Sequence, residues 1–193
     1  FLAAAMCARW QSGLPPPTVL SCDNIQGNGE VLREILSQFV LQAAWGNDVD
    51  AAALNRWMLQ YAAFPCTMVD RITPGTSSAD MEYVAKEYGL EDAVPVKAES
   101  FLQWVVEDNF VDDARPSWEV SDGVVFATDV EPYEMMKLRL LNASHSCLAY
   151  ASLLRGHEHV HTAMNDGAVR GLVAQYMREA LPTVPQVKGI ELG

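Results

Sequence analysis

From Val130 almost to Leu181 the sequence reads as helix, with a single interruption around Gly156. Apolar residues recur there at helical spacing rather than in alternation, so a sheet has to come from the earlier residues. Those earlier residues have a different rhythm. Residues 1–11 look like the end of a helix closed by "SGLPPP", where Gly13 and three prolines stop propagation. The β-rich "TVLSC" follows, then the polar turn "DNIQGNG", then an amphipathic helix over about residues 30–44. A second helix, over about 49–62, leads to the strand-like "CTMVDRI". Two short apolar strands separated by helices predict an α/β unit with parallel strands. Further on, "TPGTSSADMEYVAKEYGLEDAVPV" predicts a helix capped by Ser78 or Asp80. The segments "FLQWVVEDNF", "RPSWE" and "DGVVFATDV" read as a short strand or hairpin excursion. The fold class expected is α/β followed by mainly α, with domains at 1–92 and 93–193 and the break near "EDAVPV".

The formal net charge of -12 gives a surface that repels phosphate backbones, so nucleic acid is not an expected partner. The four cysteines, Cys7, Cys22, Cys66 and Cys147, are scattered and form no C-x-x-C pair. That argues against a zinc ribbon or disulfide framework and for a reducing, cytoplasmic setting. No apolar run approaches the roughly 18–20 residues that span a bilayer. The start, "FLAAAMCARW", has no basic n-region and no initiator Met, so the chain is expected to begin partway through a longer protein. "HEHVH" places His157, His159 and His161 at alternate positions, but its helical context favours a solvated cluster, and no metal is expected. "GNG" at 27–29 is not a dinucleotide fingerprint, and no glycine-rich loop joins a strand to a helix in that pattern.

The richest chemistry lies in "YEMMKLRLLNASHS", residues 133–146. At about 100° per residue, Lys137 stands at 0°, His145 at about 80° and Asn142 at about 140°, all on one flank. Leucines spread around the rest of the helix and predict burial. A desolvated lysine is destabilised in its charged form and can act as a general base. A neighbouring amide can stabilise an alkoxide, and an imidazole can bind a substrate hydroxyl. The spacing on its own leaves a lysine snorkelling to solvent as the commoner reading. "SCDN" and "MVDR" each end a predicted strand, which sets Asn24 and Asp70 at the edge where ligands gather in open α/β sheets.

Taken in order, "SCDNIQGNG", "FPCTMVDRITP", "FLQWVVEDNFV", "RPSWE", "DVEPYEMMKLRLLNASHS" and "VHTAMND" resemble the polyol-specific long-chain dehydrogenases, the mannitol 2-dehydrogenase family. That family also contains hexuronate reductases such as fructuronate reductase. The resemblance implies the end of a Rossmann-like nucleotide-binding domain joined to the first part of a helical C-terminal domain. It implies zinc-independent oxidation of a polyol secondary alcohol to a ketose with NAD or NADP. Carried over residue by residue, Lys137 resembles the catalytic base, and Asn142 and Asn24 the amide pair on the reacting oxygen. His145 resembles a substrate-hydroxyl ligand, Val69 and Asp70 line the same pocket, and Asn24 also lies on the cofactor side. A glycine-fingerprint half and further helices have no counterpart here, so the chain alone is expected to be inactive. A hexuronate substrate, or a non-catalytic subunit derived from such an enzyme, are the alternatives. Partners beyond the small-molecule substrate would be the rest of the enzyme or a larger assembly.

Overall fold

A computed structural model of the chain describes residues 1–46, 48–187 and 189–191. They form two compact units, Phe1–Thr128 and Asp129–Gly193.

In the first unit, α1 (Leu2–Gln11), α2 (Asn28–Gln42) and α3 (Ala51–Tyr61) close around Met6, Leu36, Val40, Leu54, Met58 and Phe64. Each such side chain contributes about 1.5–3 kcal/mol by leaving water. These apolar residues recur at helical spacing, which is why the helices form where periodicity predicts them. Asp50 caps α3 by accepting from the Ala53 N–H at 3.0 Å. The cap of α4 (Ser78–Tyr88) differs from the expectation of Ser78 or Asp80. It is Ser77, whose hydroxyl accepts from the Asp80 N–H while the Asp80 carboxylate accepts from the Ser77 N–H. This reciprocal pair satisfies two helix-end donors at once.

Three strands make one sheet in the order β1 (Thr67–Asp70), β2 (Gln103–Glu107), β3 (Val124–Ala127). β1 runs antiparallel to β2, with Thr67 opposite Val106, and β2 runs parallel to β3. The expected parallel partner of β1, "TVLSC", does not join the sheet; among the described residues it forms an isolated parallel bridge, Thr18 to Ala63, ahead of β1. Beyond that bridge a side chain takes the place of the ladder, as described below. The β2–β3 segment is no hairpin, because parallel strands need a long crossover.

Residues 108–123 supply that crossover without an α-helix, and an aromatic cluster holds them down. Trp118 packs on Trp104 at 5.0 Å between centroids and stacks on Phe126. Arg115 lies 3.6 Å above the Phe126 ring and donates to Asp108 and Glu119 at 2.8 and 2.9 Å. At the foot of the crossover, Gly123 has φ +91°, and a Cβ there would sit 2.2 Å from the Leu102 carbonyl oxygen. Because β2 pairs with β1 and β3 with β2, all three strands belong to the first unit. The units therefore part after Thr128, well beyond the break expected near residue 92.

The second unit comprises α5 (Glu131–Met136), a π-turn (Lys137–Asn142), α6 (Ala143–Leu154), α7 (Val160–Ala163) and α8 (Gly167–Ala180). Its core is Leu148, Ala163, Val169 and Val173. Burial of α6 on all sides, expected from its leucines, does not hold: Leu153 and Leu154 are 76% and 89% exposed. α7 and α8 cover only one face of it. Asp166 caps α8 through the Ala168 N–H and also binds the α6 end, with Arg155 Nε at 2.5 Å and His157 Nε2 at 3.1 Å.

The His157 ring, then the Arg155 guanidinium, hold the Asp166 carboxyl well below the usual carboxylate range. A carboxyl with a lowered folded-state pKa stabilises fully above its unfolded value of about 4, and that contribution drains as pH falls below it. Asp166→Asn keeps a cap acceptor but loses the charge. It should lower the melting temperature at pH 7, with the gap to the parent narrowing as the pH is taken below about 4.

Candidate active site

The six residues singled out by sequence fall into two groups, one on each unit: Asn24, Val69 and Asp70 on the first, Lys137, Asn142 and His145 on the second.

On the first unit, the group is organised by a residue that sequence reading passed over. Asn28, at the start of α2, is 1% exposed. Its Nδ2 lies 3.0–3.1 Å from four oxygens: the carbonyls of Ser21, Asp23 and Thr67, and the Thr67 hydroxyl. Its Oδ1 accepts from the Thr67 N–H at 2.9 Å, and the Thr67 hydroxyl in turn donates to the Ser21 carbonyl at 2.5 Å. One carboxamide thus does what a strand ladder would do. It joins the end of "TVLSC" to the first residue of β1 and satisfies backbone groups that would otherwise be buried unpaired. Gly29 allows this close approach, since a Cβ there would meet the Phe64 carbonyl oxygen at 2.3 Å.

Asn24 sits on the exposed loop, where its N–H donates to the Asp23 carboxylate at 2.8 Å. Val69 and Asp70 end β1 half-buried, with Asp70 opposite Gln103.

On the second unit, the π-turn changes the geometry that 100° spacing implied. The Ala143 N–H bonds to the Leu138 carbonyl, five residues back instead of four. In such a turn, residues five apart stand over one another. Lys137 and Asn142, at its two ends, therefore share a face more closely than the helical wheel suggests. Both are half-buried. His145 follows one α-helical turn after Asn142 and is exposed. It lines a concavity of about 770 Å³ together with Leu148, Ser152, Gly156, His157 and His159.

Three consecutive carbonyls of the turn receive side-chain hydroxyls. Tyr176 of α8 donates to Arg139 at 2.7 Å, and Ser144 donates to Leu140 and, at 2.9 Å, to Leu141. The Arg139 guanidinium reaches the Thr183 carbonyl. Among the described residues, no group of three or more His, Cys, Asp or Glu is placed to hold a metal, and no helix is long and apolar enough to cross a membrane. His159 and His161 stack on each other at 5.5 Å.

Residues 1–120 match the model of the mannitol dehydrogenase Rossmann domain, and residues 129–193 that of the mannitol dehydrogenase C-terminal domain. The chain belongs to the mannitol dehydrogenase family. A mannitol 2-dehydrogenase of Pyrenophora tritici-repentis is 45% identical over 100% of this chain and 33% of its own length. The solved Pseudomonas fluorescens mannitol 2-dehydrogenase, a ternary complex with NAD and D-mannitol, is 43% identical with a TM-score of 0.81. That match covers 99% of this chain and 37% of the solved one. A substrate-free D-sorbitol dehydrogenase is 35% identical with a TM-score of 0.85, covering 99% and 38%. The chain thus spans about a third of the length of the curated relatives it matches. As a mannitol dehydrogenase family member it combines a Rossmann-like portion with a helical C-terminal portion, as the resemblance implied.

Asn28, Tyr176 and Ser144 were not among the expected residues. Asn28 hid inside a run that looks like an ordinary glycine turn. Its one signal was an amide immediately before Gly29, at a helix start following a predicted strand.

Proposed function

We propose that the chain is the central part of an NAD(P)-dependent polyol 2-dehydrogenase that oxidises a secondary alcohol to a ketone without a metal. The observation that carries this reading is the π-turn, which sets an amine and a carboxamide on one helix face with an imidazole one turn on. In the proposed chemistry, Lys137 takes the proton of the reacting hydroxyl as general base. Asn142 and Asn24 donate amide N–H groups to the oxygen as negative charge develops on it. His145 binds a neighbouring substrate hydroxyl, and Val69 and Asp70 line the pocket.

The donor set of this chain fits one end of a nicotinamide cofactor. The exposed loop 22–26 carries Asn24 and Gln26, residues of a type that binds sugar hydroxyls or a carboxamide, while the sequence has no G-x-G-x-x-G pattern to cradle a pyrophosphate. Asn24 is the residue we assign to that end. The bound cofactor would supply the acceptor for hydride. A neutral polyol as substrate is supported by the names of the relatives, mannitol 2-dehydrogenase and D-sorbitol dehydrogenase. A cytoplasmic setting belongs to the same reading and is supported by the scatter of the four cysteines, which form no C-x-x-C pair.

The test is to assay the full-length protein that contains this chain with NAD and NADP against mannitol, arabinitol, sorbitol and mannonate. Ketose formation from one of the three polyols is expected. Preference for mannonate would replace the polyol reading with a hexuronate one. Folded full-length protein inert toward all four would leave only a structural role.

A further inference from the structure

We infer that Tyr176 is a positioning residue for Lys137 and Asn142, a role that rests on the function proposed above. A π-turn is a wider and rarer conformation than the α-helix on either side of it, so something has to favour it over regular helix. Here the carbonyls of Arg139, Leu140 and Leu141 all receive hydroxyl donors, two of them from Ser144 within the same helix. A serine bonding back to carbonyls three and four residues earlier follows the chain wherever it goes. Tyr176 does not. It stands on α8, 37 residues away, and its hydroxyl holds the Arg139 carbonyl at 2.7 Å from a separate element. α8 is itself fixed against α6 through Val169, Val173 and Leu148. The tyrosine therefore ties the middle of the turn to a rigid reference. The residues at the two ends of that turn are the proposed base and the proposed oxyanion donor. Without the hydroxyl, the turn can exchange toward α-helical pairing, which would swing Asn142 away from Lys137. A misplacement of about 1 Å is enough to lower a rate by up to about a hundredfold.

The experiment uses the full-length enzyme and compares Tyr176→Phe, Ser144→Ala and Lys137→Ala. For Tyr176→Phe we expect kcat to fall roughly tenfold, within that range. The KM for NAD and the melting temperature should stay near those of the parent. The kinetic isotope effect on kcat with C2-deuterated mannitol should rise, because the chemical step becomes more limiting. Unchanged kcat and isotope effect overturn the inference. So does a lower melting temperature with undiminished turnover per folded molecule, which would make Tyr176 structural only. If Tyr176→Phe does not fold, Tyr176→Leu, which also removes the hydroxyl, is read the same way, and Ser144→Ala, whose bonds stay within the helix, should show the smaller fall in kcat; a fall as large as that of the Tyr176 variant overturns the inference. Lys137→Ala separates the two levels. Loss of turnover there with a silent Tyr176→Phe sinks the positioning role alone, and normal turnover by Lys137→Ala sinks both.

Discussion

Replacing Lys137 with alanine in the full-length protein should cut polyol oxidation by about 10²–10⁴-fold, the range general acid–base catalysis supplies. The reason is chemical rather than structural. Lys137 opens the π-turn and is half-buried, and alanine is the best helix former, so the fold loses little. The defect should therefore lie in kcat, with NAD binding and thermal stability close to those of the parent. Lys137→Arg is the informative companion. Arginine keeps the positive charge but stays protonated, so it should be as inactive as alanine if proton abstraction is the role. An active arginine variant would show that only the charge matters. Partial recovery of Lys137→Ala by added small primary amines would favour a missing base over a displaced helix.

Asn28→Ala should be the most destabilising single change in the first unit, costing about 3–5 kcal/mol. The residue is buried, and removing its carboxamide leaves the Thr67 N–H and the Asp23 carbonyl without the partner it supplies, while the Ser21 carbonyl keeps only the Thr67 hydroxyl. Unpaired buried groups of this kind cost about 1–3 kcal/mol each. The cost can be read as a fall in the midpoint of urea unfolding at constant slope. Asn28→Asp sharpens the point. It retains an acceptor for Thr67 but loses both amide hydrogens and turns a carboxylate toward four oxygens. Aspartate should therefore be worse than alanine despite its nearly identical shape. If aspartate is tolerated better, the amide donors are not what holds the segments together. Because the tie fixes residues 21–24, either variant should also weaken whatever Asn24 does at the loop tip.

Much of this architecture could be read from residue spacing. Helices α1, α2 and α3 of the first unit and the long helical stretch after Val130 follow from apolar periodicity, which reports burial directly. The less legible parts are those where a side chain substitutes for backbone. "TVLSC" has strand composition, yet the bonds a neighbouring strand would make go largely to Asn28, so composition predicted a ladder where a carboxamide stands. The mixed sheet was hidden because strand direction depends on distant partners, here Thr67 with Val106 and Trp104 with Val124. The break after Thr128 was hidden for the same reason, since pairing, rather than the polar "EDAVPV", decides which strands travel together.

The proposed catalytic residues of the second unit were legible as residue types, because an amine, an amide and an imidazole are unusual among leucines. Their relative placement was not. A wheel drawn at about 100° per residue assumes one helical pitch throughout, and residues 137–142 depart from it.

That departure also bears on how the gene can change length. A π-turn is in effect an α-helix carrying one extra residue, so deleting a single codon between Lys137 and Asn142 would leave a chain able to form one regular helix. By propensity alone that helix would be the better one. The residues after the deletion would keep nearly their places around the axis, because one residue fewer at the tighter pitch spans almost the same rotation. Inserting a residue is different, since it would turn everything after it, His145 and Leu148 included, by about 100° relative to α5. The segment should therefore tolerate the loss of one residue better than the gain of one, with the loss raising its helical content.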